Sequence, residues 1–177
     1  MKIYPEKEEI EHLARQILAS ARTAPKACGI DDVITAIAEK QDLPKIAEEM
    51  RKIAKRSKKY AFFERDARNL EASDAVLIIG VKGKSLGLEC GACGLSCAEL
   101  ATAKKKETDY TGPNCAFKLL DLGIAIGSAA KTASIFSVDT RVMYSIGLAA
   151  KRLGLINADV ALALPLSIGG KSPFFDR

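Results

Sequence analysis

Apolar residues along this chain recur at helical spacing in some stretches and crowd together in others. Ile10, Leu13, Ala14, Ile17, Leu18 and Ala21 form one helical stripe and predict an amphipathic helix from Pro5 to Arg22. Glu6, Glu8 and Glu9 fall in its first turn, where acids favour the positive end of the helix dipole. The loop Thr23 to Gly29 ends it. Asp31 or Asp32 is then read as the cap of a second helix, with Val33, Ile34, Ile37 and Ala38 inward. A third helix starts at Asp42-Leu43-Pro44, with Ile46, Met50, Ile53 and Ala54 as its stripe. A further helical piece runs from Tyr60 to Leu70.

The pattern changes at Ala75 to Val81. This run is apolar on both faces, so it reads as a central strand of a sheet covered on both sides. Ala98 to Lys106 reads as a short helix ending in lysines, and Asp109 to Asn114 as a turn. Ala116 to Ala133 is apolar and rich in small residues, which predicts a buried helix packed closely at Gly123 and Gly127. Ser134 to Val138 is read as a short strand. A helix from Asp139 follows, with Val142, Met143, Ile146, Ala149, Ala150 and Leu153 inward and Gly154 as its stop. Val160 to Leu164 reads as a second buried strand ended by Pro165. No repeat or linker interrupts the 177 residues. The expectation is one domain over residues 1–177, helix-rich α+β with a small sheet.

Composition adds limits. Hydrophobic residues make up 48% and charged residues 28%, the balance of a water-soluble globular protein. The charge of +5 suits acidic redox partners but does not indicate nucleic acid. No apolar run reaches membrane length, and the charged start MKIYPEKEE has no apolar signal region. These features place the protein in the cytoplasm as an expectation. His12 is the single histidine and sits among polar neighbours, which argues against a Ser-His-Asp hydrolase or a multi-histidine metal site.

The chemistry concentrates between residues 89 and 115. Cys90, Cys93, Cys97 and Cys115 are spaced C-x2-C-x3-C-x17-C, with Gly91 and Gly94 between them. Thiolates this dense repel one another unless a metal takes up their charge. Four thiolate corners are what an iron–sulfur cube requires, and glycines let backbone N–H groups approach its sulfurs. A zinc site also takes four cysteines, usually as two C-x2-C pairs, and Cys115 has no such mate. Disulfides are a third reading, and a reducing compartment disfavours them.

Other residues yield ordinary readings. Gly83-Lys84-Ser85 and Gly170-Lys171-Ser172 lack the upstream glycine of a phosphate loop, since Ile78 and Pro165 stand there. The basic run Arg51 to Lys59 is read as a solvated helix face. Cys28 is read as a small buried residue, Asp121 as a polar edge and Asp139 as a cap.

With these residues in view, the whole chain resembles a prokaryotic family of uncharacterised ferredoxin-domain-containing proteins. The resemblance rests on Cys90-Gly91-Ala92-Cys93-Gly94, on Asp121 to Ala125 (D-L-G-I-A), and on Gly170 to Arg177 (G-K-S-P-F-F-D-R). It implies one [4Fe-4S] cluster on Cys90, Cys93, Cys97 and Cys115, but no established reaction. The cluster segment is similar to the iron–sulfur module of electron-transport and corrinoid proteins, with one residue fewer between Cys93 and Cys97. The scaffold resembles the nitroreductase-like flavin fold, through Ile17 to Ala27 (I-L-A-S-A-R-T-A-P-K-A) and Leu148 to Leu155 (L-A-A-K-R-L-G-L). That second resemblance implies a homodimer with flavin mononucleotide (FMN) at its interface. The arginine cluster which that family carries before its first long helix is missing here, and Lys26 and Cys28 stand where it has small polar groups.

Two function classes follow. One is an iron–sulfur redox protein passing single electrons between a donor and an acceptor, and an oxidoreductase if flavin also binds. The other is a non-enzymatic protein whose four-cysteine site, holding iron–sulfur or zinc, is structural or sensory.

Overall fold

A computed structural model describes residues 6–175. The expected helix start at Pro5 and the terminal Asp176 and Arg177 lie outside those residues. A 3-10 turn at Glu6–Glu9 leads into α1 (Ile10–Thr23), which buries Ile10, Ala14, Ile17 and Ala21.

The next segment corrects the sequence reading. Val33–Ala38 is strand β1, not a helix. Six residues are too few to nucleate a stable helix, and the β-branched Val33, Ile34, Thr35 and Ile37 favour a pleat. β1 finds an antiparallel partner in β2 (Ala75–Val81), in register from Val33 opposite Val81 to Ala38 opposite Val76.

Between these strands lie α2 (Leu43–Ala54), with its proline in the first turn, and α3 (Phe62–Glu71). The charges of the basic run are partly paired on these helices. Arg51 makes a double hydrogen bond to Glu71, both contacts 2.7 Å, and Lys52 lies 2.8 Å from Glu48.

The thiol segment follows β2. It contains α4 (Cys97–Thr102) and a two-stranded hairpin, β3 (Lys106–Glu107) with β4 (Thr111–Gly112). The expected helix thus stops before the lysines. The chain then enters α5 (Ala116–Ile135), the edge strand β5 (Asp139–Thr140), α6 (Tyr144–Arg152) and β6 (Val160–Ser167).

Two more expectations fail in this region. The strand expected at Ser134 to Val138 is the end of α5 and a turn, with Ser137 at φ 57°. Asp139 pairs with Ser167 in the sheet instead of capping a helix, and Val142 is exposed. β6 also runs through Pro165. That residue lies between the Thr140–Leu166 pairing and the Met143–Ala163 bridge, and its carbonyl accepts from the Thr140 hydroxyl at 2.8 Å. A proline is tolerated where regular ladder pairing lapses.

The sheet order is β1-β2-β6-β5, with every pairing antiparallel. Helices cover both faces, as the doubly apolar β2 requires. Leu77, Ile79 and Val81 pack with α1 and α5, while Val76 and Ile78 pack with α2, α3 and α6. α6 lies tight on β6, because a Cβ on Gly147 would run into the Ala161 carbonyl. Gly154, at φ 71°, closes α6 with Leu155 N donating to Ala150 O at 3.0 Å.

α5 departs from its expected burial. One side is covered, through Leu122, Ala125, Ile126, Ala129 and Ala133. The other side presents Leu119, Leu120, Gly123, Ile124 and Gly127 to solvent. Nothing among the described residues lies within 4 Å of where a Cβ on Gly123 or Gly127 would stand. The sheet and α1 have room for only one face of the helix. No helix is long and apolar enough to cross a membrane among the described residues.

Candidate metal centre

The four cysteines sit on two elements. Cys90, Cys93 and Cys97 belong to the loop after β2 and to the head of α4. Cys115 immediately precedes α5. The loop turns back on itself through residues at positive φ: Gly87 at 70°, Glu89 at 47°, Gly91 at 64° and Gly94 at 80°. Glycine adopts this region without steric penalty. The Gly94 N–H donates to Gly91 O at 2.9 Å and closes the turn between the first two cysteines.

α4 opens with a reciprocal cap. Ser96 Oγ accepts from Glu99 N at 3.2 Å, and Ser96 N donates to Glu99 Oε2 at 2.8 Å. The Ser96 N–H, together with the Ser96 hydroxyl that donates to the same oxygen at 2.8 Å, holds the Glu99 carboxyl below its ordinary range. The cap fixes Cys97 as the first residue of the helix, and the Glu89 N–H donates to its Sγ at 3.3 Å. A backbone donor at sulfur stabilises the thiolate that a metal needs.

Cys115 is buried, and its N–H donates to Gly83 O at 3.1 Å. That bond ties the end of the hairpin to the start of the loop. Gly83 has no room for a side chain, because a Cβ would fall inside the radius of Asn114 Oδ1. That oxygen is buried and has no hydrogen-bond partner among the described residues. Gly83 N donates to Asp159 Oδ2 at 2.9 Å, and Lys105 pairs with the same carboxylate. Burial opposes ionisation of Asp159, but Lys105 and the Gly83 N–H outweigh it and hold the carboxyl below its ordinary range.

The hairpin is fastened from its other side by Asp109. Tyr60 donates to both its oxygens at 2.9 Å and Tyr144 to one at 2.6 Å, with Arg152 at 3.6 Å. Burial and the Asp109 carboxylate push the Tyr144 phenol far above its ordinary value.

All five cysteines are free thiols. Among the described residues, no three His, Cys, Asp or Glu side chains are gathered closely enough to hold a metal ion. The fold therefore brings the four cysteines into one segment, with three on the loop and Cys115 anchored to its base, without closing them around a point. Their chemistry fits a thiolate-ligated cluster: each sulfur is uncommitted to a disulfide, and Cys97 already accepts a backbone N–H.

The basic residues in the segment that resembles flavin proteins do not fit a flavin phosphate. Arg22 donates to Asp31, to the Val33 carbonyl and to Thr35. Lys26 donates to the carbonyls of Ala21 and Arg22. Both cations are committed within the chain.

Two sequence readings change. Cys28 is exposed and at φ 55°, so it is not a core residue. Asp121 is 2% exposed instead of lying at a polar edge, and accepts from Ala27 N at 2.8 Å. Lys118, a charged residue within an apolar helix, is fully buried against Asp32. The i, i+3 pairing of Lys118 and Asp121 inside an apolar helix was the available signal for a buried ion pair. Asp109 had no such signal, because its partners come from distant elements.

Comparison with known proteins agrees with this architecture. The family described as uncharacterized proteins containing a ferredoxin domain matches residues 111–177, a span that holds Cys115 and begins after Cys97. An uncharacterized protein of Archaeoglobus fulgidus is 47% identical over 174 residues, 97% of this chain and 94% of the relative. Among solved structures, a nitroreductase with bound FMN from Bacteroides fragilis superposes with a TM-score of 0.59 at 11% identity, covering 100% of this chain and 83% of that one. A nitroreductase family protein from Clostridium novyi gives 0.57 at 14% identity, covering 95% and 76%. The fold is nitroreductase-like.

Proposed function

Because the chain belongs to the family of uncharacterized proteins containing a ferredoxin domain, we propose that it is a redox protein whose Cys90, Cys93, Cys97 and Cys115 hold one [4Fe-4S] cluster for single-electron transfer. The observation that carries this reading is the set of four free thiols on one segment, anchored by the Ser96 cap and by the Cys115–Gly83 hydrogen bond. Such a cluster, when bound, would take up and give back one electron, at a potential set by its hydrogen bonds and exposure. The chain's own contribution is to present thiolates and backbone N–H groups. Glu89 N donates to Cys97 Sγ, and Gly83 holds Cys115 in place.

Flavin chemistry is assigned no step. The Bacteroides fragilis neighbour carries FMN in its own structure, whereas Arg22 and Lys26 are turned to protein acceptors here.

Two copies of the chain pair across α5. The support is an apolar face left open by the fold, where Leu120 is 56% and Ile124 44% exposed beside the side-chain-free strip at Gly123 and Gly127. A helix of this length, about 30 Å, crossing its own symmetry mate gives a self-complementary contact. A redox protein of this kind works in the cytoplasm, where thiols stay reduced.

The deciding experiment is anaerobic purification with iron, sulfide, zinc and flavin assayed together. About four irons per chain and a broad absorbance band in the visible is the expected outcome. Roughly one zinc per chain and no colour after anaerobic reconstitution would replace this reading with a structural metal site.

A further inference from the structure

Lysines alternate along the segment that leads from α4 into the hairpin. Lys104 and Lys106 line one cleft, of about 500 Å³, together with Thr108, Tyr110, Pro113 and Asn114. Lys105 faces the opposite way, into a cavity of about 310 Å³ that also contains Lys84 and Ser85. This alternation follows from extended backbone, in which successive side chains point to opposite sides. Both hollows reach the strand end that presents Cys115: Asn114 lines the first, and Gly83, which accepts the Cys115 N–H, lines the second.

The carboxylates of this region are engaged elsewhere. Glu107 pairs with Lys151, Glu99 caps Ser96, Asp109 binds two tyrosine hydroxyls and an arginine, and Asp159 binds Lys105 and Gly83. Lys84 lies 3.4 Å from Asp32. The side chains of Lys104 and Lys106 are exposed, and their ammonium groups have no ion-pair or hydrogen-bond partner among the described residues. The cleft next to Cys115 is thus left with two unneutralised ammonium groups, on a chain whose net charge is +5.

We infer that this lysine-rimmed cleft is the docking surface for an acidic one-electron carrier protein. The inference rests on the cluster reading given above. The cleft is shallow and open, which suits a macromolecular surface, and opposite charge across it steers encounter and fixes orientation. Cys90, Cys93, Cys97 and Cys115 would hold the cluster, and the cluster, when bound, would accept the one electron that the reduced carrier gives up. No bond forms or breaks, and no proton moves.

The test uses the anaerobically purified, cluster-loaded chain, an acidic two-iron ferredoxin as probe and a basic cytochrome c as the opposite-charge control. Calorimetric affinity is measured between about 20 and 200 mM salt, a range over which the Debye length falls from roughly 20 to 7 Å. Ferredoxin affinity should fall about tenfold or more over this range, and by a similar factor at low salt in the Lys104→Glu/Lys106→Glu variant. A milder Lys104→Gln/Lys106→Gln variant should fall between the two. Iron content and the rate of reduction by dithionite should stay the same in both variants. Cytochrome c should bind the Glu variant more tightly than the parent. A loaded chain whose ferredoxin affinity ignores both salt and these lysines overturns the docking inference and leaves the cluster reading standing. A chain that takes up no cluster overturns both.

Discussion

Lys118 holds its ammonium 3.0 Å from a carboxylate oxygen of Asp32 while having no exposed surface of its own. The same ammonium donates to the Ile30 carbonyl at 2.7 Å and lies 3.5 Å from Asp121. Asp121 in turn accepts from Ala27 N. Lys118 and Asp121 stand in the first turns of α5, and the Lys118 N–H donates to the Cys115 carbonyl at 3.1 Å. One buried network therefore joins the 27–32 loop to the helix that presents the fourth thiol.

Removing the cation from this network leaves the buried Asp121 carboxylate with no cation and Asp32 with Lys84 alone. Lys118→Met keeps the chain length and apolar packing but leaves Asp32 and Asp121 without their shared partner. Breaking a buried pair from one side costs about 3–5 kcal/mol. Urea unfolding should show a loss of that order, and a midpoint equal to the parent's would refute the network as a stabilising element. Because the cost is that of a stranded charge, Asp121→Asn added to Lys118→Met should recover part of it.

Asp109 gives the hairpin a signature in acid. Burial opposes its ionisation, but the hydroxyls of Tyr144 and Tyr60 outweigh burial and hold its carboxyl below the ordinary value of 3.8. A folded-state pKa below the unfolded one means the stabilisation is complete above 3.8 and fades as pH falls through the lower, folded-state value. Parent stability should therefore drop in that acid window. Asp109→Asn should be less stable near neutrality and should lose less on acidification. Parallel curves for the two proteins from neutrality into acid would show that Asp109 contributes nothing through its charge.

Much of this architecture was legible in the chain because its signals are local. The stripe of α1, the proline at the start of α2, the doubly apolar β2 and Gly154 as the stop of α6 each depend on a few neighbouring residues. β1 misled because Val33, Ile34, Ile37 and Ala38 fit a helical stripe as well as a strand, and only pairing with β2 decides between them. α5 misled because its composition does not say which side is covered. Among the candidate ligands, spacing marked the four cysteines, but their anchors did not follow from it. The Cys115–Gly83 bond and the Asp109 fastening join residues far apart in sequence, which no local pattern encodes.

The open face of α5 makes a two-sided prediction. Gly123→Ala and Gly127→Ala place methyl groups where nothing else in the described chain stands within 4 Å. Within one chain each should strengthen the helix, by up to about 1 kcal/mol. Across a pair of chains the same methyls push the helices apart. Sedimentation should find the double variant dissociating at higher concentration than the parent, and Leu120→Glu monomeric. A Leu120→Glu variant that sediments like the parent would place any association elsewhere on the surface.

Gly83 and Gly147 separate damage to the site from damage to the fold. Neither has room for a methyl group, but their obstacles differ. At Gly147 the obstacle is the Ala161 carbonyl and the Leu162 backbone, so α6 must lift from β6. At Gly83 it is the Asn114 side chain, next to Cys115, whose N–H the Gly83 carbonyl accepts. Overpacking of either kind costs about 1–3 kcal/mol, and more where only backbone can yield. Gly147→Ala should therefore lower the melting temperature further than Gly83→Ala. Gly83→Ala should have the larger effect on the metal centre, because Asn114 cannot move aside without carrying Cys115. The readout is the rate at which a chelator strips iron from anaerobically loaded protein, measured well below both melting temperatures. Faster stripping in Gly83→Ala alone would identify the Gly83–Cys115 hydrogen bond as the support of the fourth ligand. Equal rates in the two variants would mean that Cys115 is held by α5 without help from Gly83.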